Sequence, residues 1–244
     1  MDLTIPDDCL AFFVDDTGHE LLNDHRQKVF GLGGCAVIGS NLDSFVRDPW
    51  RGVRLVVAGR TGAQLHAAEL TTPTVGQINA VSNFFKVNKF ARFGAICSVE
   101  TDLDHDVSPL FAVAQTLMNR VAEISKWQPF RSIAIVFEHS QRLAPKIEQV
   151  FGSFELFEDG KAIPLGLNWM EKAASEPALE VADFLANAIG TQVRHRLAGR
   201  PGYAKNFEAF FHGIDPRLCS FMDVTRVVVD ATSPVSACLP RSNL

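Results

Sequence analysis

The stretch Ala11-Phe12-Phe13-Val14-Asp15-Asp16-Thr17-Gly18-His19-Glu20 decides how the chain is read. Cys9 to Val14 is a short apolar run bounded by polar turn residues, which is the length and composition of a buried strand. It stops on two adjacent carboxylates, a small hydroxyl residue and a glycine. Carboxylates at the end of a buried strand stand at the rim of a sheet. There each costs free energy unless paired, hydrogen-bonded or bound to a cation. Two in succession repel, so they invite a metal ion or a ring of donors. Asp-Thr-Gly is also ordinary turn chemistry; what makes the stretch a candidate site is the recurrence of carboxylates further along.

Working outward, 244 residues suffice for one large α/β domain. No repeat, low-complexity tract or linker divides the chain. The reading is a single domain over residues 1–230, with an extension from about residue 200 and a Ser/Pro-rich tail, 231–244, expected to be mobile. Hydrophobic residues at 47% and charged residues at 21% describe a protein with a sizeable core. The net charge of −5 excludes a general attraction for nucleic acid, so any such contact needs a local basic patch. Five scattered cysteines without C-x-x-C spacing read mostly as buried thiols of a reducing compartment. The start, Met-Asp-Leu-Thr-Ile-Pro, is acidic and lacks the basic region of a secretory signal. No apolar run approaches the ~20 residues of a membrane span. The expectation is a soluble, cytoplasmic protein without membrane partners, with a homo-oligomer left open.

After a polar turn at Asn23–Lys28, Val29 to Ile38 reads as a second strand paired to the first as a hairpin. Its Gly31, Gly33 and Gly34 fit a twisting or bulged strand better than a phosphate loop, because no helix start with Lys-Ser or Lys-Thr follows. Ser40, Asn41 or Asp43 is expected to cap a short helix toward Arg47, ended by Asp48-Pro49. Val53 to Ala58 then reads as a strand. Gly62 to Leu70 is extended or a helical turn and holds His66 and Glu69. Thr72-Pro73-Thr74 starts a helix over Val75 to Val87, its stripe at Val75, Ile78, Val81 and Phe85. Strands follow at Arg92–Val99 and Ser132–Phe137, with a Pro109-initiated helix, Leu110–Trp127, between them. A helix over Leu143–Phe151 and short strands at Phe154–Phe157 and Ile163–Leu167 lead to the last long helix, Pro177–Leu197. Its stripe is Leu179, Ala182, Leu185, Ala186 and Ile189, with Asp183 beside it. An edge strand at Thr225–Val229 is expected in the extension.

The second apolar strand of this kind, Ser132–Phe137, ends directly on Glu138, repeating the opening pattern. Active sites in open α/β sheets form at strand ends, so Asp15 and Glu138 can converge if their strands are neighbours. A late helix crossing that edge could bring Asp183. Several carboxylates within a few ångströms cannot all stay ionised without a cation. Hard oxygen ligands suit Mg²⁺ or Mn²⁺, which bind through carboxylates and substrate phosphate oxygens. Two such ions about 3.5–4 Å apart would promote attack of water on a phosphodiester.

Val14-Asp15-Asp16-Thr17-Gly18, together with Leu179-Glu180-Val181-Ala182-Asp183-Phe184-Leu185-Ala186, resembles the domain of unknown function 3800 family. The resemblance spans roughly residues 10–200. It implies a ribonuclease H-like fold, an α/β mixed β-sheet flanked by α-helices, with a first-strand aspartate at Asp15 and a closing-helix aspartate at Asp183. Glu138 falls where that fold usually places an acidic residue, at the end of its fourth strand. The chain departs from the family where Asp16 replaces a common glutamate, Thr17 a serine and Glu180 the usual glutamine. The carboxylate of the fold's first helix has no certain counterpart, and Glu69 is the candidate.

The resulting expectation is a Mg²⁺- or Mn²⁺-dependent phosphodiester hydrolase acting on nucleic acid. Asp15, Glu138 and Asp183 would hold the metal, with Asp16 a further candidate ligand and Glu69 assisting catalysis. Arg194 and Arg196, in a basic cluster with His195 and Arg200, are candidate phosphate-binding residues, although cations at a helix C-terminus are sufficiently explained by its dipole. His66 is a candidate substrate contact. The alternatives are a non-catalytic binding or scaffold protein on the same fold, and a metal-dependent hydrolase of a small phosphorylated substrate.

Overall fold

The structure is a computed structural model and describes residues 3–22, 28–99, 107–127, 129–158, 160–211 and 236–239. Side chains alternate along strand β1 (Cys9–Gly18), and the alternation sorts the molecule into two layers. Ala11 and Phe13 point into one core; Leu10, Phe12 and Val14 point into the other. β1 pairs antiparallel with β2 (Val29–Ile38), as the hairpin reading expects, and β2 pairs antiparallel with β3 (Ala91–Ser98). On its other edge β1 runs parallel to β4 (Ser132–Glu138), which is joined in parallel by β7 (Leu165–Met170). The sheet order is β3-β2-β1-β4-β7. The chain is thus α/β, with a five-stranded mixed sheet flanked by helices. A smaller sheet has β5 (Glu155–Glu158) between β6 (Lys161–Ala162) and β8 (Ser236–Leu239).

One face of the large sheet is covered by α3 (Pro109–Ile124) and α4 (Ala144–Phe151). The other is covered by α5 (Pro177–Leu197), with α1 (Asp48–Ala58), α2 (Val75–Val87) and α6 (Lys205–Phe211) packed around it. α5 starts where its sequence says: Glu176 accepts from the Ala178 N–H, and Pro177 occupies the first turn, where its missing N–H costs nothing. All of the expected stripe, Leu179, Ala182, Leu185, Ala186 and Ile189, is buried. The helix presses close because the sheet is glycine-floored beneath it. A Cβ on Gly94 would lie 2.5 Å from Ile189 Cδ1, and one on Gly33 would lie 2.8 Å from the same atom. Gly33 and Gly94 therefore serve close helix approach, a role allied to but distinct from the expected twist or bulge, whereas a Cβ on Gly31 or Gly34 would strike the Ala95 or Phe13 carbonyl of a neighbouring strand.

Two expectations fail in the same place. Asp48-Pro49 does not end a helix but begins α1, and Val53–Ala58 is the body of that helix instead of a strand. The short segment before it is a 3-10 turn at Gly39–Asn41 followed by a π-helical turn at Asp43–Arg47, neither with a side-chain cap. Proline is tolerated in a first helical turn. Trp50, Val53 and Arg54 are buried, whereas Leu55 and Val56 are 52% and 56% exposed, which is helical periodicity. In α2 the Thr74–Gln77 capping box is present, but the buried stripe is Val81, Phe84 and Phe85, with Val75 and Ile78 exposed.

Buried charge ties these helices to α5. Glu180 accepts from Arg54 Nη2 at 2.6 Å, Arg54 Nε at 3.0 Å and Trp50 Nε1 at 2.8 Å. Glu176 pairs with Arg47 at 2.8 Å. Arg92, fully buried on β3, donates to the Phe85 and Phe210 carbonyls and so anchors α2 and α6. Cys9, Cys35 and Cys97 are buried thiols, in accord with the reading of most cysteines. Among the described residues no helix is long and apolar enough to cross a membrane. Residues 23–27 of the expected turn, the edge strand at Thr225–Val229 and the tail from 231, apart from β8, lie outside the described residues.

Candidate carboxylate site

Strand pairing puts the first two carboxylates side by side. β1 and β4 run parallel with Val14 opposite Phe137, so the next pair along is Asp15 and Glu138. Asp15 follows Phe13 by two residues and Glu138 follows Val136 by two. Both Phe13 and Val136 face the α5 core, and so both carboxylates face α5. α5 runs in the same sense as β1. Ala178 lies against Cys35, Ala186 against Gly33, and Gly190 against Thr17, the residue paired with Gly31. Asp183, a turn before Ala186, therefore comes down over β1 beside Asp15, the residue paired with Gly33. Asp16 takes the opposite parity and turns toward α4, where Arg142 Nη2 donates to its Oδ2 at 3.4 Å.

The electrostatics agree with this placement. Burial raises the Asp15 carboxyl well above the ordinary carboxylate range, and repulsion from Asp183, Asp16 and Glu138 raises it further; the Asp16 N–H offsets part of this. Burial also raises Asp183, with relief from the Ala67 N–H, His66 and Lys172. Asp16 is raised by burial, eased by Arg142, and raised again by Glu138 and Asp183.

Around the carboxylates stand groups of opposite character. Ala67 donates its N–H to Asp183 Oδ2 at 2.8 Å, and His66 Nδ1 lies 3.7 Å from the same oxygen. Lys172 Nζ is 4.0 Å from Glu138 Oε1. Arg142 bridges Asp16 and the buried Glu20, and Lys146 Nζ binds Glu20 at 2.8 Å. Lys172 and Arg142 are not legible as site residues in the sequence. Lys172 is placed by the pairing of Glu138 with Met170, two residues before it, and Arg142 only by the loop leading into α4.

The remaining candidates are dispersed. Glu69 shares a 3-10 turn, Ala67–Glu69, with the Asp183 contacts, but its own side chain is exposed to solvent. It is His66 in this segment that meets Asp183. Arg194 is half-buried on the α5 face near Thr17, and desolvation lowers its pKa. Eleven helical residues separate it from Asp183, about 16 Å along the axis. Arg196 is exposed in the last turn of α5.

Oxygen donors on one face, held against mutual repulsion, suit a hard divalent cation. Among the described residues, no three His, Cys, Asp or Glu side chains already stand at the spacing of a ligand set. The backbone brings Asp15, Glu138 and Asp183 to one place; side-chain rotation would have to close the set. Set against protein-family models, curated proteins and solved structures, the chain matches none at a significant level.

Proposed function

We propose that this protein is a divalent-metal-dependent phosphodiester hydrolase acting on nucleic acid, built on a ribonuclease H-like fold. The observation that carries the reading is the adjacency of Asp15 and Glu138 where the parallel pairing of β1 and β4 ends, three residues before β1 itself ends at Gly18, with Asp183 above them on α5. The sheet order β3-β2-β1-β4-β7 supports the fold assignment, because it sets the strand bearing Glu138 beside the first strand. Asp15, Glu138 and Asp183 would hold Mg²⁺ or Mn²⁺, with Asp16 turned to the neighbouring side. Bound there, the cation would offset charge developing on the phosphodiester and favour attack by water.

The chain's own residues supply the remainder. The Ala67 N–H and His66 orient Asp183. His66, with Nδ1 3.7 Å from Asp183 Oδ2, is positioned to move a proton near that carboxylate. Lys172 stands where it would meet a phosphate oxygen beside Glu138. Arg194, some turns away, would hold the strand at a distance from the scissile bond.

Calorimetric titration of Mn²⁺ into the wild type and Asp183→Asn tests the reading. Binding in the wild type and its weakening or loss in the folded variant are expected. No binding by the folded wild type, with RNA or DNA oligonucleotides absent or present, overturns it. One observation favours a second reading, a non-catalytic binding protein. Lys172 and Arg142 already give Glu138 and Asp16 cationic neighbours, and the Ala67 N–H already satisfies Asp183. That reading leads if Mn²⁺ does not bind.

A further inference from the structure

Beside the carboxylates lies a half-open pocket of about 300 Å³, lined by α2, α5, α6 and the loop before α2. Its connection to Asp183 is direct. Ala67, whose N–H holds the Asp183 carboxylate, also forms part of the cavity wall. Phe184 follows Asp183 in sequence, and Asn187 lies one helical turn beyond it. The apolar wall includes Phe184 and Phe210, ring centroids 6.2 Å apart, both buried, with Phe210 stacked on Phe85. Phe210 is held in place through its carbonyl, which accepts from buried Arg92 at 2.6 Å.

The polar edge is made of amides. Asn206 Nδ2 donates to Asn187 Oδ1 at 3.4 Å, leaving amide hydrogens and a second lone pair to offer a ligand. Lys205 brings an exposed ammonium to the rim. Ligand pockets span ~300–1,000 Å³, so this one is sized for a single ring system and not for a peptide or a folded nucleic acid. A small apolar pocket with amides at its edge suits a flat heteroaromatic ring such as a nucleobase, whose donors and acceptors meet the amides.

We infer that the cavity takes the base of a nucleotide whose phosphate lies over Asp15, Glu138 and Asp183. This assignment rests on the phosphodiester reading, and it makes a nucleotide unit, read base by base beside the reacting phosphate, the object of the site. The amide pair matches the donor and acceptor of an adenine edge, so adenosine 5′-monophosphate is the probe.

The experiment titrates adenosine 5′-monophosphate and ribose 5-phosphate into the full chain, with and without Mn²⁺. The proteins are the wild type, Ala209→Leu, which fills the cavity, and Asn187→Ala, which removes the amide. The wild type is expected to bind the nucleotide about tenfold more tightly than the base-free sugar phosphate, the scale of one amide–base contact. Both variants are expected to lose most of that preference while keeping the wild-type circular dichroism and Mn²⁺ affinity. Equal binding of the two probes, no binding of either, or a preference that survives in both variants overturns the assignment. Mn²⁺ titrations on the same samples separate the two ideas. Mn²⁺ binding without base preference removes the pocket alone. Base preference without Mn²⁺ binding keeps the pocket and removes the hydrolase.

Discussion

Asp15→Asn should stabilise the protein at neutral pH, and the stabilisation should disappear in acid. The side chain keeps its size, so packing against α5 is preserved and only the charge is removed. In the folded chain burial raises the Asp15 carboxyl, and Asp183, Asp16 and Glu138 add to the rise. Unfolding returns it to the ordinary range. Between those two values the folded chain holds a proton that the unfolded chain has lost, so wild-type stability falls as pH rises through the window. Below the ordinary carboxylate range both states are protonated and the penalty is absent. At neutral pH the wild type carries the cost of a half-buried, repelled charge, about 1–3 kcal/mol. For a chain of this size each kcal/mol shifts Tm by about 2–4 °C. Thermal melts by circular dichroism from about pH 4 to pH 8 should show the variant above the wild type at the upper end. The two curves should converge toward the lower end. Saturating Mn²⁺ should then raise the wild-type Tm and leave the variant nearly unmoved, since ligand binding to the native state adds about 2.7 kcal/mol at a hundredfold excess over Kd. A variant that is less stable than wild type at neutral pH, or a difference that does not change with pH, would refute the account of Asp15 as a repelled carboxylate.

Glu180→Ala should cost about 3–5 kcal/mol, because it strands the Arg54 guanidinium, only 4% exposed, without its carboxylate; urea denaturation measures the loss. Gly94→Val should cost about 1–3 kcal/mol by overpacking, since a Cβ there would lie 2.5 Å from Ile189 Cδ1, and it should weaken Mn²⁺ binding by lifting α5 without touching a carboxylate. Unchanged Mn²⁺ affinity in a folded Gly94→Val protein would mean that α5 does not set the site.

The elements that the sequence makes legible are those whose signals are local. α5 spans the same residues in both readings because Glu176-Pro177 and a continuous apolar stripe define it without help from the rest of the chain. β1 and β4 stand out as apolar runs that end on charge. α1 was hidden because its buried face includes Arg54, and an arginine counts as polar until its partner is known. With Val53–Ala58 taken apart from Trp50, the run mimics a strand. The partner, Glu180, lies 126 residues away on α5, and no spacing rule reaches that far. The same limit explains the site. Asp15, Glu138 and Asp183 are legible because each sits beside or at the end of an apolar stretch. Lys172 and Arg142 depend on which strands pair and where the loops return. His66 and Glu69 share one turn, and only the fold shows that His66 meets Asp183.

The doublet Asp15-Asp16 shows how much the chemistry depends on register. Adjacent strand residues face opposite sides, so one carboxylate must join α5 and the other must turn toward α4. Which does which is settled upstream, where Ala11 and Phe13 fill one core and Leu10, Phe12 and Val14 fill the other. A slip of one residue would drive all of these side chains into the wrong layer. The apolar half of the strand thereby assigns roles to its acidic half. Asp15 is held among carboxylates, whose repulsion adds to the rise of its pKa. Asp16 is given Arg142, which the buried Glu20 steadies in turn. Two identical side chains, one peptide bond apart, acquire different charge environments from hydrophobic patterning, and only the one facing α5 shares its face with Glu138 and Asp183.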